Sequence, residues 1–150
     1  TLVNIESTKK NEIFNEAKID LRVLNGKISF DKSVFINNNI GLMETSNSDL
    51  FLENDKLFLT SNLSIDIKNI DRFYSFLNTS KNSRKDIKNI KLNIIYDFLS
   101  NQIELKNIKI DDNDVSSQFN NIAEGFIDIN SNNLTKSRKL LNELINLYAG

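Results

Sequence analysis

Alternation of apolar and polar residues runs through much of the chain between residues 17 and 110, and it limits the folds that the chain can adopt. In residues 63–67 and again in residues 90–98, every second residue is apolar. A period of two places alternate side chains on opposite faces of a β-strand. The pattern therefore predicts an antiparallel β-meander with one apolar and one polar face. The apolar face must then be covered by protein or by lipid.

The predicted elements divide a single domain of 150 residues into consecutive segments. They are a lead-in over 1–16, a β-meander over 17–68, a helix near 69–78, a loop over 79–86, a long hairpin over 87–111 and a helical tail over 116–150. The predicted fold class is mainly β with flanking helices (α+β). Because the chain opens without a methionine, we expect it to be the C-terminal fragment of a longer protein.

Short polar segments indicate where the strands turn or bend. Asn25-Gly26 and Asn54-Asp55 favour two-residue hairpin turns. Ser46-Asn47-Ser48 predicts a further turn between two strands. The predicted strand over 87–99 is longer than usual, so we expect a bulge near Ile94-Ile95.

The apolar residues change to a helical period in two main places. The first is formed by Ile70, Phe73, Tyr74 and Leu77. Their spacing places them on one face of an amphipathic helix near 69–78. The second, a C-terminal helix near 134–148, has an apolar stripe of Leu134, Leu140, Leu141, Leu144, Ile145 and Tyr148. A short helix is also expected around Phe119, Ile122, Ala123 and Phe126.

The residue types on which most enzymes depend are missing. The sequence contains no His and no Cys, which excludes Ser-His-Asp triads, thiol nucleophiles, disulfides and ordinary zinc sites. The glycines are isolated, so no glycine-rich phosphate loop is present. Residues 111–114 are acidic but lack the Gly and Glu positions of a calcium-binding loop, and they are predicted to form a charged turn. We therefore expect no catalysis, no cofactor and no metal site.

The charge of the chain argues against a nucleic-acid partner. The formal net charge is −1, and the basic residues are scattered along the sequence. Affinity for nucleic acid depends on basic residues that neutralise phosphates, and no dense basic patch stands out in the sequence. We therefore expect no binding of nucleic acid.

Two helices cannot cover the whole apolar face. Strands lie about 4.8 Å apart and a helix is about 10 Å across, so two helices cover roughly three or four strands. The alternation predicts roughly eight or nine strand segments, and the remainder would form a curled open sheet with a lengthwise groove for acyl chains. The residues predicted to line this groove are Ile28, Phe30, Leu50, Leu52, Leu57, Leu59, Leu63, Ile65, Ile67, Ile90, Leu92, Ile94, Tyr96, Phe98, Ile103 and Leu105.

A family resemblance extends over most of the alternating region. Residues 24–30, 50–59, 63–67, 73–77, 90–98 and 103–111 resemble the C-terminal region of bacterial AsmA-like proteins, the AsmA/TamB type. The similarity consists of the strand alternation, the short helix, the basic loop that follows it, and Tyr96-Asp97 near the end of a strand. It covers roughly residues 17–112.

The resemblance implies a location and a function. AsmA-like proteins are anchored in the inner membrane by an N-terminal helix and project into the periplasm. They are similar to lipid-transfer proteins with a taco-shaped β-groove, and they are associated with outer-membrane integrity and with phospholipid transport between membranes. The partners implied are phospholipid or another acyl-chain lipid, the rest of the same polypeptide, and envelope proteins.

A second reading of the same pattern stays open at this stage. The sheet could fold over and close its core with the helices, which would make the chain a structural or protein-interaction β-module. Its exposed strand edges would then dock a partner or another domain of the same chain.

Overall fold

A computed structural model describes residues 1–6, 13–123 and 134–148. These residues form ten β-strands and three α-helices. The strands are β1 Leu2–Glu6, β2 Glu16–Asp20, β3 Arg22–Leu24, β4 Lys27–Ser29, β5 Val34–Asn37, β6 Gly41–Glu53, β7 Lys56–Ile67, β8 Asn89–Asp97, β9 Gln102–Ile110 and β10 Asn113–Asp114. The helices are α1 Ile70–Leu77, α2 Ser116–Ala123 and α3 Leu134–Tyr148.

The strands form one open antiparallel sheet, which confirms the predicted fold class of mainly β with flanking helices. The strand order is β1-β2-β5-β6-β7-β8-β9-β10, and β3 and β4 form a side hairpin that joins the sheet where β4 pairs with β6. The strand β1 lies in the predicted lead-in, where the sequence has no clear period. The two-residue turns at Asn25-Gly26 and Asn54-Asp55 connect strands as expected, with all four residues at positive φ.

The sheet contains two β-bulges, and neither lies where the sequence predicted a bulge. The turn predicted at Ser46-Asn47-Ser48 is wrong, because β6 continues through these residues with one extra residue opposite β7. The bulge predicted near Ile94-Ile95 is also misplaced, since the extra residue lies in β9 at Asn107, opposite β8. Asn47 and Asn107 both adopt positive φ, which asparagine accepts more readily than most residues.

The three helices lie on the apolar face and cover one end of the long strands. Their buried side chains pack with the ends of β8 and β9 in a single core of Phe73, Tyr74, Leu77, Ile87, Ile90, Ile108, Ile110, Val115, Phe119, Leu140, Leu144 and Ile145. Each large aliphatic side chain buried in this way contributes about 1.5–3 kcal/mol. The predicted C-terminal helix is therefore a cap over the sheet. Phe126, expected in the short helix, lies outside the described residues.

The helix α1 begins where it does because of a cap and a close backbone contact. The side chain of Asn69 accepts a hydrogen bond from the backbone N–H of Arg72, and Asn78 ends the helix in the left-handed conformation. Just before the helix, the backbone N–H groups of Lys68 and Asn69 donate to the carbonyl of Ile40 at 2.8 and 3.0 Å. Gly41 lies next to this contact, and a Cβ atom there would overlap the carbonyl oxygen of Asp66.

We expect Gly41→Ala to destabilise the fold much more than Gly26→Ala. Gly26 lies at φ +74° with open space where a Cβ atom would lie, so alanine there has only the left-handed backbone cost of about 1–2 kcal/mol. At Gly41 the Cβ must displace the backbone of β7, which we expect to cost about 3 kcal/mol. Urea denaturation of both variants measures the difference in the free energy of unfolding. Equal losses of stability would contradict the close backbone contact between Gly41 in β6 and Asp66 in β7.

Candidate functional site

The helices leave part of the apolar face outside the core. The predicted lining residues Ile65, Ile67, Leu92 and Leu105 pack against the helix-covered core, and Ile90 is buried within it. Leu63 and Phe30 are half-buried and outside that core. The remaining predicted residues form what we call the outer apolar half: Ile28, Leu50, Leu52, Leu57, Leu59, Ile94, Tyr96, Phe98 and Ile103.

The outer apolar half is continuous across the strands. Ile28 lies directly opposite Leu50, and Leu50 lies opposite Leu59. Leu59 in turn faces Tyr96, and Tyr96 faces Ile103. Directly opposed residues in neighbouring strands place their side chains on the same face. One apolar row therefore crosses the five strands β4, β6, β7, β8 and β9, over about 19 Å at about 4.8 Å per strand.

The outer apolar half is partly open to solvent. Leu52 is 71%, Phe98 46% and Ile28 38% exposed. The other members are half-buried by their neighbours across the strands. Exposed apolar side chains gathered on one face are typical of a surface that binds an apolar partner. The site is an open face rather than an enclosed cavity.

Two serines separate the outer apolar half from the helix-covered core. Ser48 in β6 and Ser61 in β7 are buried, and their hydroxyl oxygens lie 2.5 Å apart in a hydrogen bond. Ser61 faces Ile94 across the strands, so the pair lies on the apolar face itself. The backbone N–H of Ser48 also donates to the carboxylate of Asp31 at 2.6 Å. Because the hydroxyls satisfy each other, they can be buried here at little cost.

Apolar side chains are also exposed at the hairpin end, where the turns at residues 25–26, 54–55 and 98–101 lie together. The register places all three turns at this end, away from the helices. Val23, Leu24 and Leu99 are exposed at this end, as are Leu52 and Phe98. The predicted groove lining did not include the first three of these residues. Val23 lies in the alternating pattern, Leu24 breaks it at its last step, and Leu99 lies in a turn.

The turn after β8 is held in place by polar contacts. The carboxylate of Asp97 accepts hydrogen bonds from the backbone N–H groups of Leu99 and Ser100 at 2.8 and 3.2 Å. The hydroxyl of Tyr96 hydrogen-bonds to the side chain of Asn101, and the rings of Tyr96 and Phe98 meet edge to face at 4.6 Å. The turn thus presents Leu99 to solvent, 73% exposed, from a defined backbone.

A cluster of potential metal ligands is not found in the described parts of the chain. No three His, Cys, Asp or Glu side chains come together there as metal ligands. The charged turn over residues 111–114 brings Asp112 within 2.7 Å of Lys91, and the backbone of Lys88 and Asn89 donates to Asp111. None of the helices in residues 1–6, 13–123 and 134–148 is long and apolar enough to cross a membrane.

Comparisons of the chain with protein-family models, with curated proteins and with solved structures found no match. The AsmA-like resemblance, the periplasmic location and the lipid partner therefore stay predictions from the sequence.

We expect the carboxyl of Asp97 to titrate below its ordinary pKa of 3.8 and to control the turn after β8. Desolvation raises the pKa of Asp97, but hydrogen bonds from Ser100 and Leu99 and the charge of Lys56 outweigh it and lower the pKa. A lowered pKa in the folded state means that the ionised carboxyl of Asp97 stabilises the fold above pH 3.8. This stabilisation is lost as the pH falls through the folded pKa. In an NMR titration, the chemical shifts of the Leu99 and Ser100 amides should change with a midpoint below pH 3.8. A midpoint at or above 3.8 would contradict the assigned hydrogen bonds.

Proposed function

We propose that the chain binds the acyl chains of phospholipid, or of a similar lipid, on the outer apolar half. The binding is passive and involves no catalysis. In agreement with the AsmA-like resemblance, the chain would act as a periplasmic part of a protein anchored in the inner membrane. It would contribute to outer-membrane integrity and to phospholipid transport between membranes.

The observation that supports the proposal most directly is the apolar row across five strands, from Ile28 to Ile103. It lies outside the helix-packed core, and Ile28 at one end of it is exposed. An acyl chain has the matching chemistry, since it is flexible and has no hydrogen bonds to satisfy. It can therefore adapt to an open face that offers apolar contact without polar partners.

The hydrophobic effect can supply a useful but modest affinity. Each methylene removed from water contributes about 0.8 kcal/mol, so eight methylenes contribute about 6 kcal/mol. That free energy corresponds to a dissociation constant of tens of micromolar, before the cost of ordering the chain. Binding of this strength is suited to a surface from which lipid must also leave.

A second function is favoured by the free edge of the sheet. Among the strands in residues 1–6, 13–123 and 134–148, β1 pairs with β2 alone, and Leu2 and Ile5 on it are exposed. An unpaired strand edge can add a strand from a partner or from another domain of the same chain. In that structural or protein-interaction module, the outer apolar half would be covered by protein instead of lipid.

We expect Ile94→Asp and Leu52→Asp to weaken binding of a fluorescent fatty acid at least tenfold. Each places a charge on the outer apolar half, where the probe would have to desolvate it. Leu52 is mostly exposed, so this variant tests the face without disturbing the fold. Fluorescence titration measures the dissociation constants.

The matched control is Asn93→Asp. Asn93 lies in β8 next to Ile94 but on the polar face, opposite Asn62. It introduces a negative charge one residue away and should bind the fatty acid like the wild type. The circular dichroism of Leu52→Asp and Ile94→Asp must still show the β-sheet. If these variants then bind the probe as well as Asn93→Asp does, the assignment of the acyl-binding face is wrong. A wild-type chain that binds no probe would favour the interaction module.

A further inference from the structure

The fold gathers basic residues that the sequence spreads over 21 positions. Residues 68–88 include six Lys or Arg and two Asp, a net charge of +4 in a chain whose formal net charge is −1. This segment follows β7 directly and holds α1, the loop after it with a single 3-10 turn at Lys81–Ser83, and the residues before β8. All of them lie at the helix-covered end of the sheet, opposite the hairpin end.

Specific contacts hold these residues together. The backbone N–H of Ile67 donates to the carbonyl of Lys88 at 2.8 Å, which brings Lys68 and Lys88 to the same edge. The hydroxyl of Tyr74 in α1 donates to the carbonyl of Lys85 at 2.6 Å and accepts from its N–H at 2.9 Å. The predicted loop over 79–86 is therefore fastened along α1.

Five of the cations are free to meet an outside partner. We call Lys68, Arg72, Lys81, Lys85 and Lys88 the basic surface. All five are exposed, and none forms an ion pair with another described residue.

Most of the nearby carboxylates are already engaged. Asp71 lies 3.8 Å from the guanidinium of Arg84, and Asp112 lies 2.7 Å from Lys91. Asp111 accepts backbone hydrogen bonds from Lys88 and Asn89. Asp86 is exposed in the same loop and offsets one positive charge. The net field of the basic surface therefore remains positive.

We infer that the basic surface docks on a bilayer that contains anionic phospholipids. Charge complementarity is the basis: lysines and arginines near an anionic membrane each strengthen binding about fivefold. Four of the five residues are lysines, whose compact charges suit mobile headgroups rather than a fixed bidentate partner. The neighbouring rings of Phe73 and Tyr74 are buried, so the stacking platform typical of single-stranded nucleic-acid binding is not offered there.

This docking would orient the sheet. Because the basic surface lies at the helix-covered end, the hairpin end and the outer apolar half would point away from the bilayer. The inference does not require that the outer apolar half binds acyl chains, and the two can fail separately.

The test is co-sedimentation with phosphatidylcholine vesicles, with and without phosphatidylglycerol. The double variant Lys81→Glu/Lys85→Glu is compared with Lys27→Glu/Lys56→Glu, which changes the net charge equally but at the hairpin end. We expect the wild type to bind only the anionic vesicles, and to bind them more weakly as salt rises. The first variant should lose at least about twenty-five-fold in partitioning, from about fivefold for each lysine. The second should lose less than about threefold, because its lysines lie more than a Debye length away.

Equal losses in both variants would show attraction to net charge alone and would overturn the inference. So would wild-type binding that is the same with and without phosphatidylglycerol. Tighter binding to a single-stranded DNA oligonucleotide than to the anionic vesicles at the same salt would assign the surface to nucleic acid instead. The fluorescent fatty acid serves as the second readout, and unchanged binding of it by Lys81→Glu/Lys85→Glu shows that a loss of docking in this variant is not a loss of fold or of the acyl site.

Discussion

The continuity of the apolar face depends on keeping side chains in phase along strands of up to 13 residues. One extra residue in a strand normally sends all later side chains to the other face. In β9 the bulge at Asn107 allows Leu105 and Ile110 to share a face, although one is odd and the other even in number. The bulge in β6 does the same for Met43 and Leu50. Without these two bulges, the apolar residues of β6 and of β9 on the two sides of each bulge would lie on opposite faces of the sheet.

The same face serves two purposes along its length. At one end it packs under the three helices, where Ile90 and Ile110 face each other and are almost fully buried. At the other end it has no place in that core, and Leu52 and Phe98 remain exposed. A fold that needed all of this face for stability would not keep large apolar side chains in solvent at its hairpin turns. The stability of the chain and the proposed binding therefore depend on different residues of one continuous face.

Local patterns predicted most of the strands, the two-residue turns, α1 and α3, because alternation and helical spacing are visible in neighbouring residues. They predicted the shared face of Ile28, Leu50, Leu59 and Tyr96 for the same reason. They did not separate covered from open residues, since Ile90 is buried in a core to which α3, far along the sequence, also contributes. The parity change between Leu105 and Ile108 was a readable signal of the β9 bulge. The strand β1 had no such signal, because its pairing with β2 alone defines it.

The most direct test of acyl-chain binding is native mass spectrometry of the purified wild-type chain, with lipid extraction from the same sample. An open apolar half that binds acyl chains predicts a second species, heavier by the mass of a phospholipid, at near-stoichiometric abundance. The extract should contain the same lipid. A monodisperse, lipid-free protein that also takes up no phospholipid added before ionisation would contradict the proposal and would indicate that the outer apolar half is covered by protein.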